Sequence, residues 1–247
     1  MLKSRILACL LTLSAIAATP AAIAQTAPDY AAIVAAPDRS DADRKLDTNR
    51  APAQWLAFIG AKPGMKILDI EAVYGWKAEL LARAGAPGGK VYAQNSEAAF
   101  ARVKDRLEAR LKTPAAANIV SAVRPFEDPA PAGMDDFDLV TFFYGYHDVT
   151  NLGVDRAKMN KAFWDALKPG GELVMGDYSA KPGAGTSVAQ TLHRSDEALA
   201  RSEIEAAGFK LIDHGDFLRV PGDAREAHSH SAAQPVDIYL LKFQKPG

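Results

Sequence analysis

In the stretch FDLVTFFYGYHDV an imidazole and a carboxylate stand side by side as His147 and Asp148, directly after an apolar run. Imidazole takes up a proton near neutral pH and a neighbouring acid orients the ring, which makes the pair the chain's best candidate for catalytic proton chemistry. Adjacent residues on extended backbone point to opposite faces, so Asp148 need not touch His147, and a capping or structural role for His147 stays open. Tyr144 and Tyr146, two apart, share a side of the strand and predict a wall of a substrate cleft, with Phe143 turned to the core. His193 and Arg194 precede Ser195, Asp196 and Glu197; the guanidinium suits an anionic substrate group or, more simply, an ion pair with Asp196 or Glu197. His228 and His230 alternate in HSH, but spacing supplies no third ligand, so a solvated loop and no metal site are predicted.

Nearer the start, KILDIEAVYGWKAELLA carries Asp69 on a buried strand into a turn of Glu71, Ala72, Val73, Tyr74 and Gly75, followed by a helix from Trp76. The turn stands where a cofactor loop is rich in glycine. A β-branched residue such as Val73 strongly disfavours the positive backbone angles that glycine tolerates.

These residues sit in a chain of 247 residues, 48% hydrophobic and 24% charged, the balance of an ordinary globular protein. Residues 1–24 have a basic start (Lys3, Arg5), an apolar stretch and small residues at Ala22 and Ala24, and predict an export signal cut before Gln25. The sole cysteine, Cys9, leaves with it, which excludes disulfides and thiolate chemistry from the mature protein. Without Lys3 and Arg5 there remain 27 basic and 30 acidic residues, a formal charge of −3, with no basic run. Nucleic acid is therefore not a predicted partner, and after cleavage no stable membrane insertion is expected; the oligomeric state is not legible.

The elements that must position the candidates follow from periodicity. Residues 25–50 read as a polar arm, a surface helix with ion pairs among Asp43, Arg44, Asp47 and Arg50, or as a lid over the site. From Ala51 a single domain runs to residue 247. Trp55, Leu56 and Ile59 share a helical face, Gly60 ends that helix, and short apolar strands then alternate with helices. A helix near Ser202 carries the capping pair Ser202 and Glu205, and the strands FKLIDHGDFLRV and VDIYLLKFQ close the chain as an antiparallel pair joined by a short polar loop. The alternation predicts an α/β, doubly wound, seven-stranded and mostly parallel sheet covered on both faces, with the last strand antiparallel.

Taken together, PGMKILDIEAVYGWKAELLA, GKVYAQN, FDLVTFFYGYHD, LKPGGELVMGDYSAKPGAG and TLHRSDEALARSEIEAAGF resemble the class I S-adenosylmethionine-dependent methyltransferases, in particular exported bacterial members, over roughly residues 38–246. The resemblance implies a Rossmann-like methyltransferase fold and S-adenosyl-L-methionine as cofactor. It implies that Asp69 helps place the amino-acid end of the cofactor, that Gly75 lets backbone approach it, and that Asn95 meets the ribose hydroxyls. Phe126 or Glu127 borders the adenine, and the methyl points towards Tyr144, Tyr146 and His147. Glu71 and Val73 replace the family's usual glycines and Asn95 replaces its usual acid; Glu71 offers a carboxylate to the cofactor's ammonium group, and Glu97 lies within reach of the ribose. The implied activity is methyl transfer to an oxygen or nitrogen of a small molecule. The alternative is an exported binding or interaction protein that keeps the fold without transfer. A serine hydrolase is disfavoured because no nucleophile-elbow motif is present.

Overall fold

The computed structural model describes residues 27–247. Three helices, α1 (Tyr30–Ala35), α2 (Asp41–Asp47) and α3 (Pro52–Ile59), lead into β1 (Lys66–Ile70). Then come α4 (Trp76–Gly85), β2 (Lys90–Asn95), α5 (Glu97–Leu111), β3 (Ile119–Val123) and β4 (Phe137–Phe143). The chain continues through α6 (Tyr146–Asn151), α7 (Arg156–Ala166), β5 (Leu167–Tyr178), α8 (Ala189–Leu192), α9 (Glu197–Ala206), β6 (Lys210–Gly215) and β7 (Ile238–Gln244).

Local chemistry sets the helix boundaries. The side chains of Ser40, Ser96, Asp155 and Asp196 accept backbone N–H groups at the starts of α2, α5, α7 and α9. Gly60 adopts φ +75° after α3 and returns its N–H to Leu56, the left-handed ending that glycine permits. The helix expected near Ser202 starts earlier, at Glu197, because Asp196 is the stronger cap; Ser202 lies inside it and donates to the Leu199 carbonyl.

Seven strands form one sheet in the order β3-β2-β1-β4-β5-β7-β6. β1 to β5 are parallel, and β7 inserts between β5 and β6, antiparallel to both. The loop between the closing strands spans residues 216–237 and is longer than the sequence pattern suggests, because the apolar FLRV segment is not strand. Within β1, Leu68 and Ile70 face one core with Phe142, Phe163 and Tyr239, while Ile67 faces the other with Trp55, Leu80 and Leu240. Burial of both faces explains why the strands read as near-continuous apolar runs.

The direction of winding reverses between β1 and β4, and an open sheet of this kind forms its crevice beyond the strand ends at such a point. Over that end lies the N-terminal segment. It is not a solvated arm: Asp43 is buried against Arg110, Asp47 accepts from Arg39 and from the Trp76 indole, and the Tyr30 hydroxyl donates to Ala61. The predicted export signal lies outside the described residues; among those described, no helix is long and apolar enough to cross a membrane.

Candidate functional site

β1 and β4 run in register, with Asp69 opposite Thr141, and the Thr141 hydroxyl donates to Asp69 Oδ1 at 2.9 Å. Asp69 is fully buried. From the second position of α4, Lys77 extends beneath the turn and places Nζ 3.5 Å from Asp69 Oδ1, donating to the carbonyls of Ile70 and Glu71 at 3.1 Å and of Phe143 at 3.3 Å. Burial raises the Asp69 pKa against the opposing pull of Lys77 and Thr141. Asp69 thus anchors the ends of two strands from inside through Oδ1, while its Oδ2 is buried without a hydrogen-bond partner.

The turn itself holds φ angles of +50° at Glu71, +54° at Val73 and +84° at Gly75. Two of these residues are not glycine, and a left-handed angle costs about 1–3 kcal/mol each for such side chains. β2 supplies the compensating hydrogen bonds. Asn95 clamps Val73 from both sides, accepting its N–H through Oδ1 at 2.9 Å and donating through Nδ2 to its carbonyl at 3.2 Å. Gln94 accepts the Glu71 N–H at 2.9 Å through its side chain and the Ala72 N–H at 2.8 Å through its carbonyl. Asn95 is fully buried in this role, so its amide does not offer itself to a ribose. Gly75 is needed for a neighbour within the protein: a Cβ there would fall 2.9 Å from Arg110 Cδ, and Arg110 donates to the Tyr74 carbonyl while pairing with Asp43 and Glu79.

Glu71 is the residue of the turn that reaches towards the crevice. Its Oε2 is buried without a hydrogen-bond partner, and a Cβ at Gly145 would lie only 1.9 Å from it, so glycine at 145 leaves the room that the carboxylate occupies. Burial, opposed by Lys77 and reinforced by Asp148, pushes its pKa to about 7.

Beyond β4 the chain turns sharply at Tyr144, φ +64°, and Tyr146 begins α6. The two tyrosines therefore do not share a strand face. Tyr146 is buried in the core, donating from its hydroxyl to Glu203 at 2.6 Å and accepting from Asn160 at 3.2 Å. Tyr144 turns the other way, 5.4 Å from the Tyr178 ring and beneath the Arg50 guanidinium at 4.8 Å.

Because His147 and Asp148 lie on a helix, they do approach each other: Asp148 Oδ1 is 3.4 Å from His147 Nε2. The acid that orients the imidazole is a different one, Asp177 at the end of β5, which accepts the His147 backbone N–H at 2.8 Å and lies 2.9 Å from Nδ1. With Nδ1–H donating to Asp177, the buried and unpartnered Nε2 carries the free lone pair. Burial pulls the His147 pKa down, but Asp177, Asp148 and Glu71 outweigh it and the net shift is upward.

His193, at the end of α8, sits 3.6 Å from the same Asp148 oxygen through Nδ1, and its ring lies 5.2 Å from that of His147. His228 and His230 join them, 4.5 and 5.3 Å from His193. Four of the five histidines thus converge, which no pairwise spacing in the sequence reveals. Beside them opens a cavity of about 720 Å³ lined by Arg50, Tyr144, Tyr178, Leu218, Ser229 and His230.

The remaining candidates make contacts within the protein. Phe126 packs in the core 6.0 Å from Phe142, and Glu127 accepts the Asp155 N–H. Arg194 is fully buried and forms a fork with Asp223, not with Asp196 or Glu197, while donating to the carbonyls of Ser179 and Ala227. Asp177 and Lys77 are the site residues that sequence reasoning missed. The acid at the end of ELVMGDY, at the mouth of the central sheet, was a readable signal; Lys77 gave none, since a lysine in a helix ordinarily faces water.

No protein-family model matches the chain. Among curated proteins it is similar to the ubiquinone/menaquinone biosynthesis C-methyltransferase of Cupriavidus taiwanensis, 31% identical over 126 residues, 50% of this chain and 47% of that protein. Its counterpart from a Shewanella species is 28% identical over 192 residues, 76% of this chain and 66% of that protein. The chain therefore spans about half the length of the first relative and about two thirds of the second. The solved structure of a SAM dependent methyltransferase from Aquifex aeolicus superimposes with a TM-score of 0.59 at 16% identity, covering 84% of this chain and 100% of that one. The chain has the fold of the class I S-adenosylmethionine-dependent methyltransferases and sequence relatives among them.

Proposed function

We propose that the protein is a methyltransferase that moves the methyl group of S-adenosylmethionine to an oxygen or nitrogen of a small molecule seated beside Tyr144 and Tyr178. The observation that carries this reading is the turn after β1, where Glu71, Val73 and Gly75 keep left-handed backbone at alternate positions although two of them are not glycine. That strain is maintained by four hydrogen bonds from Gln94 and Asn95, an arrangement without purpose for an ordinary strand-to-helix connection.

When bound, S-adenosylmethionine supplies an electrophilic methyl carbon, which a lone pair of the acceptor takes as the carbon–sulfur bond breaks and S-adenosylhomocysteine leaves. Glu71 fits the ammonium end, because its orphaned Oε2 gains the partner it lacks. Asn95 does not fit the ribose; Glu97, exposed at the start of α5, is the acid that can meet the hydroxyls. His147, held through Nδ1 by Asp177, presents Nε2 for the proton that an oxygen or nitrogen acceptor gives up, with Asp148 alongside. Alignment does most of the remaining work, since in-line transfer needs no covalent help from the protein. Export to the periplasm, or secretion, is part of the proposal and rests on residues 1–24.

A second reading, a binding protein that keeps the fold without transfer, is favoured by one observation: Asn95 and Arg110 already occupy polar groups and space at the turn. Calorimetry with S-adenosylmethionine and S-adenosylhomocysteine separates the two. Methyl transfer requires that both bind and that Glu71→Gln weakens binding by about 1.5–3 kcal/mol, the range for a hydrogen bond to a charged group. A folded sample giving no heat with millimolar ligand, on the order of 4 kcal/mol of affinity or less, removes the methyltransferase assignment and makes the second reading the better one.

A further inference from the structure

We propose that His147 Nε2, His193 Nδ1 and Asp148 Oδ1 form a binding site for a divalent cation of the zinc class. The three atoms lie within 4.8 Å of one another. Two of the separations, 3.4 Å from His147 to Asp148 and 3.6 Å from His193 to Asp148, approach the edge of a tetrahedron whose centre is about 2.0–2.1 Å from its ligands, which is about 3.3–3.4 Å. A small closing movement of two partly exposed side chains, His193 and Asp148, brings all three to bonding distance.

The orphaned atoms point the same way. His147 Nε2 is buried in a fully enclosed side chain, and His193 Nδ1 is also shielded from solvent; neither has a hydrogen-bond partner among the described residues. Leaving such groups unpaired costs about 1–3 kcal/mol each, a cost that a bound cation removes. His147 further shows the arrangement that metal-ligating histidines adopt, its other ring nitrogen against a buried carboxylate, here Asp177 at 2.9 Å. The His228 ring lies 4.5 Å from that of His193, tilted by 39°, while its Nδ1 accepts the His230 backbone N–H at 3.2 Å. His230 lines the cavity, 6.5 Å from the His147 ring.

Two nitrogens and one carboxylate oxygen match the three protein ligands of a catalytic-type zinc site, whose fourth ligand is water or substrate. The cation takes the same lone pair that His147 would use to accept a proton. A metal-loaded protein is therefore in a different chemical state from a metal-free one, and the inference stands whether or not the chain transfers a methyl group.

The test is titration of the full, untagged protein, first stripped with EDTA, with ZnCl2 by calorimetry and with CoCl2 by visible absorption. The expected result is one Zn2+ per chain with a Kd of about 1 µM or tighter, and intense bands of tetrahedral Co2+. His193→Asn, chosen because asparagine tolerates the φ of +48° at this position, and Asp148→Asn each weaken binding at least about a hundredfold. His214→Asn, on the exposed edge strand β6, leaves it unchanged. Circular dichroism confirms folding of each variant. Overturning results are binding weaker than about 100 µM, equal affinity in His193→Asn, or the weak spectrum of six-coordinate Co2+. Cofactor calorimetry on the stripped protein is read separately, so failure of either proposal leaves the other tested.

Discussion

Replacing Glu71 by glutamine separates what the β1 turn costs the fold from what it offers a ligand. Burial drives this carboxyl from 4.5 to about 7, Lys77 opposing the rise and Asp148 adding to it. Below pH 4.5 folded and unfolded chains both hold the proton, and Glu71 adds no pH dependence. Between 4.5 and about 7 the unfolded chain has released it and the folded chain has not, so stability falls as pH rises, by about 1.4 kcal/mol for each pH unit. Above about 7 both are ionised and the whole penalty, about 3 kcal/mol, stays. Glutamine keeps the shape and cannot ionise. Urea unfolding in EDTA should therefore show Glu71→Gln matching the parent near about pH 4 and exceeding its stability by about 3 kcal/mol near about pH 8. The same substitution weakens S-adenosylmethionine binding, so stability and affinity move in opposite directions. A stability difference that stays flat across this pH range refutes the burial of an unpaired carboxylate.

Lys77→Met removes the ammonium that pairs with Asp69 and three carbonyls, and should cost about 3–5 kcal/mol in urea unfolding, with partial recovery in the double variant Lys77→Met/Asp69→Asn; a loss below about 1 kcal/mol contradicts the buried pair. Val73→Gly relieves about 1–2 kcal/mol of left-handed strain and adds about 0.5–1 kcal/mol of chain entropy, so equal or greater stability is expected, whereas Val73→Ala keeps the strain and should bring no gain. Arg194→Leu strands Asp223 and should destabilise by about 3–5 kcal/mol while leaving cofactor affinity of the folded protein unchanged; altered affinity would give Arg194 a ligand role. The intact mass of protein recovered from its source should correspond to a chain beginning at Gln25; a retained Met1 refutes the export reading.

By itself the sequence determined the architecture. Buried parallel strands must be apolar on both faces, helices must end in caps and glycines, and such patterns are local, so ILDI, VYAQN, FDLVTFF and ELVMGDY were legible as the strands of one doubly wound sheet. It also indicated where a site had to lie, because the winding order puts the ends of β1 and β4 together. What each polar residue does there was decided by tertiary structure alone. Asn95 looked like a ribose contact and is a clamp on Val73; Arg194 looked like an anion contact or a partner of its neighbours Asp196 and Glu197 and is locked to Asp223; Tyr144 and Tyr146 part company at one left-handed residue. A hydrogen-bonding side chain is satisfied by whichever partner the fold brings within about 3 Å, and that partner is often tens of residues away. His147, Asp177, His193 and His230 come from four separate segments, so their convergence is a property of the folded sheet and its loops, and no spacing along the chain encodes it.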